Sequence, residues 1–249
     1  MTAYSVLEDD KFSYLLTKQS FISHFFKKLF EIFCKTVFTI YTPVKVIGRE
    51  KIPTTSYILC CNHNSHMDVA LLMSASGKGF SHFGMLAARD YWFDNKLKRI
   101  LTNIGMNLIP IDRRIKGKHS FSLNDTIALC RGFMALDNRS LIMFPEGTRG
   151  KPGEMRRFKK GAAAFALKLN VPIVPLYIHG SHKAWPKDKF FMRPTFIKME
   201  IADPIYPSEY IEEHIGTEYD SGLDPQPVIQ FTQDLESTIK QMGEKYNVS

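Results

Sequence analysis

The chain has 249 residues, 44% of them apolar and 23% charged, which excludes a disordered, collagenous or fully membrane-spanning polypeptide. It carries 33 Lys and Arg against 25 Asp and Glu, a formal net charge of +8. From Glu200 to Ser249 there are eleven acids against two lysines, leaving 31 of the 33 bases and 14 of the 25 acids in the first 199 residues. A body this basic implies an anionic partner, whether nucleic acid, an anionic bilayer or a phosphorylated small molecule, or else a surface of merely solvated lysines, and charge alone does not choose between them.

In chain order, the opening MTAYSVLEDDKF carries acids where a signal peptide carries lysines, so export is not expected. Cys34, Cys60, Cys61 and Cys130 show no CxxC spacing, and an adjacent Cys60-Cys61 pair suits neither a zinc site nor an easy disulfide. Reduced thiols in an intracellular chain are the expectation. Between Phe21 and Tyr41, apolar residues at Ile22, Phe25, Phe26, Leu29, Phe33, Val37 and Ile40 recur in steps of three and four, the stripe of an amphipathic helix. Lys27, Lys28, Glu31 and Lys35 break any run long enough to cross a bilayer, which needs about 20 mostly apolar residues. Such a helix either packs on the domain's own core or lies in a membrane interface. Six phenylalanines in one segment wrap wider than one core-facing stripe requires and favour the membrane. Pro43 closes the segment, so the expected organisation is an N-terminal helical piece over residues 1–43 and one domain over 44–249.

Within that domain the apolar runs Ser56–Cys61, Leu108–Ile111, Leu141–Phe144, Val171–Ile178 and Thr195–Ala202 have strand length. Helical spacing marks Met67–Ala75, Asp94–Ile104, Asn124–Leu136, Gly161–Leu169 and Val228–Met242. Strands alternating with helices predict an α/β fold with a largely parallel sheet flanked by helices.

Nucleotide-phosphate loops, serine-hydrolase elbows and zincin motifs find no match in the sequence. His63 and His66 form an HxxH pair without a third ligand, so no metal is expected. Two motifs carry chemistry. In Asn62-His63-Asn64-Ser65-His66-Met67-Asp68, a histidine just past a strand precedes an aspartate by five positions. Inside one helix those side chains would diverge by about 140°. The chain must therefore turn between them, with Asn64 or Ser65 available to cap the following helix and Asp68 in its first turn. Asp68 can then accept the Nδ1 proton of His63 and leave Nε2 as a base, with no protein nucleophile needed if the substrate brings its own hydroxyl. In Phe144-Pro145-Glu146-Gly147-Thr148-Arg149, proline stops a strand and glycine permits an irregular backbone whose amides can approach an anion. Thr148 adds a hydroxyl and Arg149 a fork suited to phosphate oxygens, while Arg113 is a second candidate phosphate ligand.

With these motifs the sequence resembles the glycerolipid acyltransferases of the 1-acylglycerol-3-phosphate acyltransferase family. The matching blocks occur in order: NHxxxxD at Asn62–Asp68, IDR at Ile111–Arg113, FPEGTR at Phe144–Arg149, FKKG at Phe158–Gly161 and VPIVP at Val171–Pro175. The resemblance implies transfer of a fatty acyl group from a thioester donor, coenzyme A or acyl carrier protein, to the free hydroxyl of a lysophospholipid, with no cofactor. It implies His63 as general base, Asp68 as its orienter, and Arg113, Glu146, Gly147, Thr148 and Arg149 as acceptor-binding residues. The VPIVP block would be structural support. The N-terminal helix looks like the membrane-docking element of compact family members, which implies a peripheral protein on the cytoplasmic face of a membrane. Lysophosphatidic acid is the expected acceptor; a lyso-ornithine lipid or lysophosphatidylethanolamine would use the same machinery. A non-catalytic module on an anionic membrane or on nucleic acid would rest on charge alone, and no nucleic-acid partner is expected.

Overall fold

Seven strands, β1 (Val44–Ile47), β2 (Ile58–Cys61), β3 (Phe83–Ala88), β4 (Asn107–Ile111), β5 (Ser140–Met143), β6 (Ile173–His179) and β7 (Ile197–Ile201), form one sheet in the order β1-β7-β6-β2-β5-β3-β4. The computed structural model describes residues 6–93, 106–112, 121–151, 154–186, 189–211 and 225–246. Five neighbouring strands, β6 to β4, run parallel; β7 joins β6 antiparallel and pairs parallel with β1. The largely parallel α/β sheet read from the sequence is present. The Asp94–Ile104 helix and Arg113 lie outside the described residues, as do the basic positions 96, 98, 99, 114, 116 and 118.

The helices are α1 (Ser13–Leu16), α2 (Phe21–Thr36), α3 (Asp68–Ala75), α4 (Arg89–Trp92), α5 (Leu123–Ala135), α6 (Gly161–Leu169), α7 (Ser181–Ala184) and α8 (Pro225–Glu244). Successive strand residues face opposite sides. Ile58 and Cys60 join a core with Phe133 of α5, Ala166 of α6 and Phe231 of α8, while Leu59 and Cys61 join a second core with Leu71 and Leu72 of α3. Both faces of the central strands are therefore covered, which is why their sequences run continuously apolar instead of alternating. Helix α5 starts at a capping box, Ser122 Oγ accepting from Asp125 N while the Asp125 carboxylate accepts from Ser122 N. All four cysteines are buried and free.

The N-terminal region meets the body in two ways. Val6, Phe12 and Leu15, on the N-terminal side of the boundary expected at residue 43, are buried in the same core as α5. Helix α2, continued by a π-helical turn over Val37–Tyr41, turns Lys27, Glu31 and Cys34 towards the body and leaves its apolar residues outward. Phe21 is 83% and Ile22 68% exposed, and Phe25, Phe26, Leu29, Ile32 and Phe33 are also exposed. Lys27 donates from Nζ to Asn107 Oδ1, and Glu31 takes Lys28 and Lys35 at 3.2 and 2.6 Å. Buried charges are tolerated where such partners exist.

Candidate active site

The site grows from the carboxyl ends of the parallel strands, where open α/β sheets place their ligands. Strand β2 ends at Cys61, and the buried Asn62 then pairs its side chain with the main chain of Ile178. Its Nδ2 donates to Ile178 O at 3.0 Å and its Oδ1 accepts from Ile178 N at 2.8 Å. This amide replaces one rung of the β2–β6 ladder, so the main chain can leave the sheet and carry His63 outward.

His63 Nδ1 lies 2.9 Å from Asp68 Oδ2, and the imidazole stacks on Phe144 with ring centroids 3.8 Å apart. Asp68 is fully buried, and the same Oδ2 accepts from the main-chain N of Asn64 and Ser65, each at 2.8 Å. One carboxylate oxygen thus holds both the ring and the turn in front of it. The helix cap expected from Asn64 or Ser65 is reversed: Met67 takes the cap position without a side-chain bond, and the helix's own first side chain reaches back. Ser65 instead donates from Oγ to Trp185 O at 2.6 Å.

The second loop leaves β5 at Met143. Gly147 has φ +71°, and a Cβ there would come within 2.6 Å of Lys159 Nζ, so glycine both permits the turn and clears space for that lysine. Glu146 points inward. Its Oε1 accepts from His63 N at 2.8 Å and its Oε2 from Arg156 N at 2.9 Å, and Gly150 N donates to His63 O at 3.0 Å. Burial pushes the Glu146 carboxyl up, opposed by the N–H bonds from Arg156 and His63. The two motif loops are consequently stapled together through His63's own backbone.

In front of His63 opens a cavity of about 450 Å³, with Met85, Leu86, Trp92, Ile111 and Phe165 among its apolar walls and Gly147, Thr148 and Lys159 at its polar side. Of the candidate residues, His63, Gly147 and Thr148 line this cavity. Asp68 stands behind the imidazole, and Glu146 supports the backbone instead of facing the cavity. Arg149 turns to His66, its Nη1 lying 2.5 Å from Nδ1 and 3.1 Å from Nε2. Lys159 was not singled out from the sequence, although the FKKG block contains it; nothing in a run of bases marks which one folds over a glycine. Among the described residues no group of three or more His, Cys, Asp or Glu could hold a metal ion.

A base–carboxylate pair opening on an apolar chamber suits proton abstraction beside a long hydrocarbon substrate. The Acyltransferase family model matches residues 43–179. The chain is 32% identical over 174 residues to the 1-acyl-sn-glycerol-3-phosphate acyltransferase of Cocos nucifera, covering 70% of this chain and 53% of that one. It is 44% identical over 173 residues to the protein of that name from Limnanthes alba, covering 70% and 58%. The Helicobacter pylori protein of that name is 30% identical over 184 residues, covering 70% and 73%. The chain thus spans little more than half the length of the first two. The crystal structure of the 1-acyl-sn-glycerophosphate (LPA) acyltransferase PlsC from Thermotoga maritima superposes with a TM-score of 0.63 at 23% identity, covering 90% of this chain and 80% of that one, a likeness of fold.

Proposed function

This chain belongs to the acyltransferase family, and from that premise we propose that it moves a fatty acyl group from an acyl thioester to the free hydroxyl of 1-acyl-glycerol-3-phosphate, giving phosphatidic acid. The observation that carries the reading is the His63–Asp68 pair at 2.9 Å on the wall of an apolar cavity. With Nδ1–H donating to Asp68, the lone pair on Nε2 takes the proton of the acceptor hydroxyl. The oxygen attacks the thioester carbonyl, the C–S bond breaks, and the imidazolium returns its proton to the departing thiolate. Asp68 holds the ring and stabilises its positive charge in between. The acyl chain fills the apolar cavity. Arg149 of the FPEGTR block and Lys159 of the FKKG block supply charge for the acceptor phosphate, with Gly147 and Thr148 immediately before Arg149 in sequence and beside Lys159 in the cavity lining.

The same proposal includes the membrane. No helix among the described residues is long and apolar enough to cross one. The outward apolar face of α2, with the exposed Phe190 and Phe191 beyond its far end where Tyr41 bonds Met192 O, suits an interfacial location on the leaflet that supplies the acceptor. Coenzyme A or acyl carrier protein would deliver the donor from the aqueous side.

The test is thiol release from an acyl thioester across a panel of lysolipid acceptors. His63→Ala is expected to lower kcat by about 10²–10⁴-fold; near-wild-type turnover would reject the histidine as base. Arg149→Lys is expected to raise KM for the phosphate-bearing acceptor with little change in kcat, since an ammonium lacks the planar fork. An unchanged KM would remove Arg149 from the site.

A further inference from the structure

At the amino ends of β3, β4 and β5, across the sheet from His63, lies a second hollow of about 350 Å³ lined by Lys18, Gln19, His24, His82, Asp137 and Arg139, among others. Arg139 sets it apart. It stands immediately before β5, is 6% exposed, and among the described residues makes no side-chain hydrogen bond or ion pair; Nη1 is wholly buried without a partner there. Its guanidinium lies over the Phe133 ring, with Cζ 5.1 Å from the centroid. A buried guanidinium without an acceptor is costly, so such groups are ordinarily paired. The consecutive left-handed residues Asp137 and Asn138 turn the chain from α5 into β5 at this point.

The surroundings do not supply the missing acceptor. Asp137 is the lone carboxylate in the lining, and it acts on Arg139 through space without an ion pair between them among the described residues. Lys27 Nζ and Gln19 Nε2 both donate to Asn107 Oδ1, the latter at 2.7 Å, while Gln19 Oε1 is buried with no donor to satisfy it. The net positive field shows in the neighbours. His82 is pushed down to about 4 by burial and by Lys78 and Arg139, against a smaller opposing pull from Asp137, and Lys27 is pushed down to about 7 by burial and by Arg139.

We propose that this hollow binds an oxyanion of the phosphate class, at a site separate from the acyl-transfer centre. The Arg139 fork and Lys18 meet the charged oxygens, and Gln19 Oε1 accepts from a hydroxyl carried by the ligand. Free phosphate offers that hydroxyl when monoprotonated, and a phosphoglycerol lipid headgroup offers it on its glycerol. Lys18 and His24 flank the start of α2 beside the exposed Phe21, Ile22 and Phe25. A headgroup would therefore reach the hollow from a bilayer under that helix; this route alone rests on the membrane reading above.

The experiment follows the His82 ring by NMR in the full chain, titrating inorganic phosphate against chloride at equal ionic strength. Flotation on phosphatidylglycerol and on phosphatidylcholine vesicles runs in parallel. The expected result is a phosphate-dependent rise in the His82 titration midpoint, with affinity falling about 10-fold or more in Arg139→Met. The rim variant Lys18→Ala/His24→Ala, whose residues are exposed, weakens it as well and keeps the test sound if Arg139→Met does not fold. Preference for phosphatidylglycerol that both variants abolish identifies the headgroup as ligand; a phosphate response without lipid preference identifies a soluble oxyanion. His82 unmoved by phosphate and by phosphatidylglycerol, or binding in both variants equal to the parent, overturns the proposal. Loss of binding to every vesicle with the phosphate response intact would count against the membrane reading and leave the oxyanion site standing.

Discussion

Helix α8 turns Val228, Phe231, Leu235, Ile239 and Met242 into the core, and its outward positions are polar. Helix α2 carries an equally clear apolar stripe but faces it outward, and its inner side holds Lys27, Glu31 and Cys34. The periodicity that identifies both helices is the same, because a stripe records only that one face avoids water. Which medium replaces the water is decided by neighbours. For α8 it is the sheet. For α2 the inner face meets Asn107 and the main-chain N of Phe80, polar groups that can satisfy a lysine and a glutamate, and Phe21, Phe25, Phe26 and Phe33 stay exposed.

The contrast can be broken most decisively through stability. Phe231→Ala, at a fully buried position, is expected to cost about 3–5 kcal/mol in urea unfolding. Phe25→Ala, on the outward face of α2, should stay within about 0.5 kcal/mol. Equal losses would mean that α2 is an ordinary core helix. The second comparison reverses the readout. Phe25→Ser/Phe33→Ser should lower vesicle partitioning by about 10-fold or more per side chain, given roughly 1.5–3 kcal/mol for each fully buried aromatic. Phe231→Ala should leave the partitioning of the remaining folded protein intact. Unaltered flotation of the α2 variant would sink the docking role.

The smallest effect sharpens what the inner face of α2 costs. Lys27 titrates near 10.4 in an unfolded chain and at about 7 here, chiefly through burial. Between those values the unfolded state holds the extra proton, so stability rises with pH from about 7 to about 10.4, by at most about 1.4 kcal/mol per pH unit. Lys27→Met should flatten that rise, measured as the urea midpoint across the interval; an unchanged slope would show that another group titrates there.

Much of the fold was legible because its cues are local. Asn124–Leu136 and Gly161–Leu169 were readable as helices from spacing, and they appear as Leu123–Ala135 and Gly161–Leu169. Strands β1 and β3 were missed. Val44–Ile47 is four residues long and half-buried, and Phe83–Ala88 contains Gly84, Ala87 and Ala88, which carry weak strand preference. Their pairing with β7, β4 and β5 is what makes them strands.

The candidate site divides in the same way. That His63 and Asp68 could meet only across a turn followed from helical geometry, and they stand 2.9 Å apart. How the turn is held did not follow: Asp68 reaches backward to two amides, and Glu146 crosses 83 positions of sequence to accept from His63 N. The sequence by itself determined the alternation of helix and strand and the pairing of His63 with Asp68, since both depend on spacings of a few residues. Only the tertiary structure decided which charges go inward on α2, that Glu146 serves the backbone, that Lys159 folds over Gly147, and that Arg139 is buried without an acceptor. Those outcomes depend on which distant groups arrive beside each side chain, and burial, not residue type, sets what a charge there must find.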